Sequence, residues 1–157
     1  MSNEQIEKRV EKAKELFRQG FNCSQAVFAA CADLYGMDEE TALRVAASFG
    51  GGIGRMRLTC GAASGMFILA GLHNGSKTPQ DAQAKKQNYT LVQQLADDFV
   101  KENGSLTCAE LLGIAPKPQE PTPEKRTPEY YQKRPCAEMV ATAVKIFLTR
   151  CTTKLST

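Results

Sequence analysis

The apolar residues near the start of the chain recur at three- and four-residue steps: Ile6, Val10, Ala13, Leu16 and Phe17, with Glu, Lys, Arg and Gln between them. That period predicts an amphipathic helix over 4–19, ended by Gly20. A second helix is expected from Cys23, because Asn22 is a good N-cap and Gln25 stands where a capping box needs it. Ala26, Val27, Ala29, Ala30 and Leu34 make it largely buried, and Gly36 ends it. Asp38 can cap a third helix through Leu43, Val45, Ala46 and Phe49.

The helical period then breaks. Gly50-Gly51-Gly52-Ile53-Gly54 is too rich in glycine for a stable helix interior and reads as a tight or mobile turn. Thr59 next offers a hydroxyl cap, Cys60 is expected as the first helical residue, and the apolar run Gly61 to Leu72 as a central helix. Gly61 and Gly65 lie one turn apart and, with Ala62 and Ala63, leave a face that another backbone can approach. An internal core contact is the expected use of that face. A homodimer seam is the alternative, since closed dimers are the commonest assembly.

Residues 71–77 read as a loop, and Thr78-Pro79-Gln80-Asp81 as the start of a helix running to about Glu102. Leu91, Val92, Leu95 and Phe99 form its apolar stripe, and Asn103-Gly104 stops it. Thr107-Cys108-Ala109-Glu110 repeats the capping-box pattern before a short helix ending at Gly113. Residues 114–135 carry six of the seven prolines and read as a proline-rich loop, which Tyr130 and Tyr131 are placed to pin down. The last helix is expected from Cys136 to about Arg150. No stretch alternates as a strand would. The expectation is an all-α fold: one domain over 1–157, a bundle of about five main helices plus a short helix and the loop.

Charge changes this picture little. Twenty Lys and Arg against seventeen Asp and Glu give +3, spread without a basic block, and no nucleic-acid motif accompanies them. No run reaches about 18 uncharged apolar residues, so no membrane span is expected. The charged N-terminus lacks a signal-peptide core, which makes the cytoplasm the expected address. A lone histidine, His73, excludes sites that need several His ligands from one chain. Its place at the end of the central helix suits compensation of the helix dipole.

The six cysteines carry the chemistry, and they are not placed alike. Cys23, Cys60 and Cys108 each follow a predicted N-cap, and Cys136 follows Pro135. Cys31 falls mid-helix and Cys151 at a helix C-terminus, where burial as small apolar residues suffices. The first turn of a helix offers free N–H groups and partial positive charge, which favour the thiolate, the form that attacks and that ligates metals. Four thiolates brought together need protons, disulfides or a metal to offset their repulsion, and an iron–sulfur cluster or Zn2+ suits four cysteines. The glycine turn (Gly51, Gly52, Gly54) can bring backbone N–H groups close to Cys60 or to an anion. Arg55 and Arg57 lie between that turn and Cys60, placed either as solvated surface charges or to lower thiol pKa values and hold an anionic substrate.

Phe21-Asn22-Cys23-Ser24-Gln25-Ala26-Val27, Phe49 through Met56, Cys60-Gly61-Ala62-Ala63-Ser64-Gly65 and the block from Cys108 to Gly113 together resemble the redox-active C_GCAxxG_C_C family. The resemblance spans roughly residues 5–150. It implies a redox role for Cys23, Cys60, Cys108 and Cys136, leaves Cys31 and Cys151 outside the set, and points to a bacterial or archaeal protein. The same cysteine pattern resembles part of the split-Soret cytochromes, in which an iron–sulfur centre accompanies haem. No CxxCH motif is present here, so no covalent haem is expected. Three readings are open. The first is electron transfer to an unidentified redox partner through an iron–sulfur cluster, [2Fe-2S] as first candidate, on those four cysteines. The second is thiol–disulfide exchange or redox sensing by the same residues without a cofactor. The third is Zn2+ held for structure or interaction without catalysis.

Overall fold

A computed structural model describes residues 1–151 of the chain. Those residues are helical and irregular, without a named strand. The helices are α1 (Asn3–Arg18), α2 (Cys23–Ala29), α3 (Glu39–Ala46), α5 (Gly61–Asn74), α6 (Ala82–Asn103), α7 (Cys108–Leu112), α8 (Pro128–Lys133) and α9 (Cys136–Cys151), and α4 (Gly50–Ile53) is a short left-handed turn rather than a regular helix. The all-α expectation holds. None of the described helices is long and apolar enough to cross a membrane.

α1 buries the stripe read from its period, Ile6, Val10, Ala13, Leu16 and Phe17. α9 lies against α1, α2, α5 and α6 and buries Val140, Ala143, Val144, Phe147 and Leu148 between them. The central α5 packs on α2, α6 and α9. Its small face is an internal contact: a Cβ on Gly65 would meet Ser24 O at 2.9 Å and Val27 Cβ at 3.1 Å. The four fully buried phenylalanines, Phe17, Phe28, Phe99 and Phe147, come from four different helices and fill the space these crossings leave.

Several boundaries differ from the sequence reading, each for a local reason. The expected α1 start at 4 moves out to Asn3, because Ser2 and Gln5 complete a capping box. The second helix ends at Ala29 rather than at Gly36; a 3-10 turn over Ala32–Tyr35 comes next, and Gly36 closes that turn at φ +80°. Cys60 caps α5 instead of opening it, and α5 runs on to Asn74 through the predicted loop. Asp81, not Thr78, caps α6, accepting from Ala84 N. Thr107 makes no side-chain cap: Ser105 Oγ bonds Glu110 and accepts from Thr107 N instead. The proline-rich segment contains α8, which uses Pro128 in its first turn and Thr127 as cap.

One pairing outside the helices brings two distant helix starts together. Thr59 and Thr107 form an isolated antiparallel bridge. Cys60 N donates to Leu106 O at 2.7 Å, and Cys108 N donates to Leu58 O at 2.6 Å. The bridge lays the starts of α5 and α7 side by side, so two cysteines 48 positions apart in sequence share one wall.

Candidate functional site

Four helix starts meet at one recess. Cys23 opens α2, Cys60 caps α5, Cys108 opens α7 and Cys136 opens α9, and all four line a cavity of about 350 Å³. The volume lies in the range of small-ligand and cofactor sites. Cys31 and Cys151 do not line it; they are fully buried elsewhere, and burial pushes the Cys31 thiol up to about 12. No disulfide joins any two of the six cysteines, all of which are among the described residues. Among the described residues, no three Cys, His, Asp or Glu side chains are grouped so as to hold a metal ion. The four cysteines line the walls of the recess. His73 lies away from it, in the last turn of α5, with its Nδ1 at 2.9 Å from Tyr35 Oη.

The glycine turn forms the floor. Gly51, Gly52, Ile53, Gly54, Arg55 and Arg57 all have positive φ, between +55° and +69°. This is a left-handed coil of backbone, tolerated by glycine but strained by about 1–2 kcal/mol at each of Ile53, Arg55 and Arg57. Backbone bonds hold it: Arg57 N to Gly51 O at 3.2 Å and Leu58 N to Gly52 O at 2.9 Å. The glycines also provide room. A Cβ on Gly52 would lie 2.7 Å from Cys108 Cβ, and one on Gly61 would lie 3.0 Å from Phe49 O and 3.4 Å from Cys23 Cβ.

Arg57 is only 4% exposed, so it is no solvated surface charge. Its Nη1 donates to Cys108 Sγ at 3.5 Å, and its Nε and Nη2 donate to Gln119 Oε1 at 3.0 and 2.6 Å. Arg55 donates through Nε to Glu120 O at 2.8 Å and through Nη2 to Gln119 Oε1 at 3.2 Å. These bonds tie residues 114–127, a strap without helix, across the recess. Pro121, Pro123 and Glu124 of the strap line it. Arg126 anchors the far end of the strap. Its guanidinium lies 4.6 Å from the Phe17 ring centre and 4.8 Å from that of Tyr130, and it donates to Phe17 O and Phe21 O. Tyr131 adds a bond from its hydroxyl to Arg18 O.

The thiols are not equivalent. Cys23 hydrogen-bonds to the Cys136 sulfur, and that bond brings Cys136 from the usual 9.0 down to about 7 against the opposing effect of burial, with Arg134, Arg126 and Arg57 helping. The same bond, together with burial, holds Cys23 well above its usual value. Burial takes Cys60 up to about 11, although the N–H groups of Ala63 and Ala62 favour its thiolate. The expectation that helix starts favour thiolates is thus right in direction for Cys60 but outweighed there by burial. In metal-free protein, alkylation of Cys136 by iodoacetamide should climb steeply between about pH 6 and 8, ahead of Cys60 and Cys31. Peptide mass spectrometry after short exposure reads this directly, and Cys60 labelled first would contradict it.

The four cysteines, Gly51, Gly52, Gly54 and the two arginines named from the sequence all line the recess. The sequence reading missed Gln119, Glu124 and Arg126 of the strap and Arg134 at the end of α8, none of which carries a local pattern. Residues 21–149 match the family model described as "Putative redox-active protein (C_GCAxxG_C_C)". The chain belongs to this family. Cys23, Cys60, Cys108 and Cys136, which line the recess, all lie within the matched residues. No curated protein and no solved structure matches the chain.

Proposed function

We propose that this member of the C_GCAxxG_C_C family is an electron-transfer protein whose centre is an iron–sulfur cluster, [2Fe-2S] as first candidate, ligated by Cys23, Cys60, Cys108 and Cys136. The observation that carries this reading is that these four cysteines, and not the other two, line one cavity of about 350 Å³. An all-thiol donor set is the usual one for such clusters. Zn2+ could take the same four thiolates, at about 2.3 Å each, so metal analysis has to separate the two. When bound, the cluster supplies a one-electron couple.

The chain's own residues suit that role. Arg55, Arg57, Arg126 and Arg134 line the recess and offset thiolate charge. Arg57 donates to Cys108 Sγ, and hydrogen bonds to ligand sulfurs tune a cluster's potential. The strap and its prolines cover one side and limit water. A reducing compartment such as the cytoplasm suits six cysteines without a disulfide. A redox protein that donates or accepts the electron is the partner this reading requires.

The Cys23–Cys136 hydrogen bond favours a second reading, thiol–disulfide exchange. There the Cys136 thiolate attacks a partner disulfide and Cys23 resolves the mixed disulfide. The partner leaves as a dithiol and a Cys23–Cys136 disulfide remains. Anaerobic purification followed by iron, sulfide and zinc analysis and a visible spectrum separates the readings. The cluster predicts a brown protein with about two irons and two sulfides per chain. A colourless, metal-free protein whose Cys23–Cys136 pair oxidises and reduces reversibly would replace it with the second reading, and one zinc per chain would replace it with a structural site.

A further inference from the structure

Three guanidinium groups of the recess converge on one carboxylate. Arg55 Nη1 lies 3.8 Å and Arg57 Nη2 3.9 Å from Glu124 Oε1, and Arg134 Nη2 pairs with the same oxygen. Burial is lopsided: the side chains of Arg55, Arg57 and Arg134 are 20%, 4% and 16% exposed, while that of Glu124 is 39% exposed. Three cations withdrawn from water thus share a single, more exposed counter-charge. Among the described residues lining the recess, Glu124 is the one carboxylate, and Arg126 adds a fourth cation. The other partners of Arg55 and Arg57 in the strap are neutral: Gln119 Oε1 and the main-chain oxygen of Glu120. Neutral acceptors satisfy N–H groups without cancelling charge, so the recess keeps a positive field that draws anions.

We propose that the cradle of Arg55, Arg57 and Arg134 is a binding site for a small molecule bearing a carboxylate or oxyanion group, and that Glu124 is the strap's own carboxylate resident in it. Guanidinium forks match such groups better than any other side chain does. The resident acid can leave without unwinding a helix, because residues 114–127 carry none and the contacts of Gln119, Glu120 and Glu124 with the turn are polar. An entering acid takes the place of the Glu124 carboxylate and frees that edge of the strap. Arg57 then contacts the anion on one side and Cys108 Sγ on the other, which sets the ligand one side chain from the thiols. The site goes beyond the redox reading; thiolates or a cluster on the four cysteines would offset part of the arginines' charge and weaken anion binding without abolishing it.

The probe is sulfate, titrated into the full-length protein as purified, with chloride at matched ionic strength as control. Thermal melting and isothermal titration are the readouts. At low millimolar concentration, where exclusion from the surface is slight, sulfate should raise Tm where chloride does not. Glu124→Gln, which leaves the three cations without their carboxylate, should bind sulfate about tenfold more tightly. Adding Arg134→Gln to that variant should remove the gain, with Arg55→Gln in its place should the first fail to fold. Equal effects of sulfate and chloride, or a Glu124→Gln variant that binds sulfate no more tightly than the natural chain, would overturn the proposal. Iron and sulfide assays on the same samples report on the redox reading separately, so either proposal can fail while the other stands.

Discussion

Replacing Gly52 by alanine should cost about 3–5 kcal/mol of stability, whereas Gly54→Ala, two positions on, should cost only about 1–2 kcal/mol. Both residues sit in the left-handed turn, Gly52 at φ +69° and Gly54 at φ +55°, so both substitutions carry the strain of an L-residue there. Only Gly52 is also enclosed. Its added Cβ would lie 2.7 Å from Leu58 N and from Cys108 Cβ and 2.8 Å from Arg57 Cα, whereas nothing lies within 4 Å of a Cβ on Gly54. Two of the three atoms opposing Gly52 are backbone and cannot swing aside. Relief requires moving the Leu58–Cys108 bridge, and with it a cysteine of the recess. At about 2–4 °C per kcal/mol for a chain of this size, Gly52→Ala should lower Tm by roughly 10 °C. Equal melting temperatures for the two variants would show that strain alone, without the close approach, accounts for the glycine.

The same turn marks where sequence reading succeeds and where it stops. Periodicity and caps are local, and they placed the main helices, because Asn22 and Gln25 act on their own N–H groups whatever the rest of the chain does. The four cysteines were legible for the same reason: each stands at a helix start, and a helix start advertises itself. The glycine run announced a turn but not its hand. Nothing in the letters says that Ile53, Arg55 and Arg57 will join the glycines at positive φ, since an L-residue there is unfavourable and is held only by surrounding contacts. The strap was legible only as an absence of helix. Its bonds from Gln119 and Glu124 to the turn span more than 60 positions, and those from Arg126 to the end of α1 more than 100, so they arise from packing and not from any local rule. Asp81 displaced Thr78 as cap by a competition of the same kind, between two acceptable caps three residues apart.

Cys60→Ser should abolish iron loading and leave the helices intact, while Cys31→Ser should load iron fully and lose stability. The two residues are chemically identical and both buried, at 7% and 0% exposure, so burial alone predicts similar behaviour. They differ in what they face. Cys60 lines the recess at the N-terminus of α5, beside the N–H groups of Ala62 and Ala63. A serine there keeps a polar atom next to those donors but removes a thiolate ligand, and the fourfold donor set drops to three. Cys31 lies outside the recess, fully buried in the apolar core at the start of the 3-10 turn, and exchanging its apolar sulfur for a hydroxyl there costs about 1–3 kcal/mol. Iron content and Tm should therefore move in opposite senses across the pair: about two irons falling to background with modest destabilisation for Cys60→Ser, about two irons with a Tm lowered by several degrees for Cys31→Ser. Circular dichroism at 222 nm confirms the fold in each. Equal iron in both variants would remove Cys60 from the ligand set and with it the reason for placing a cluster in the recess.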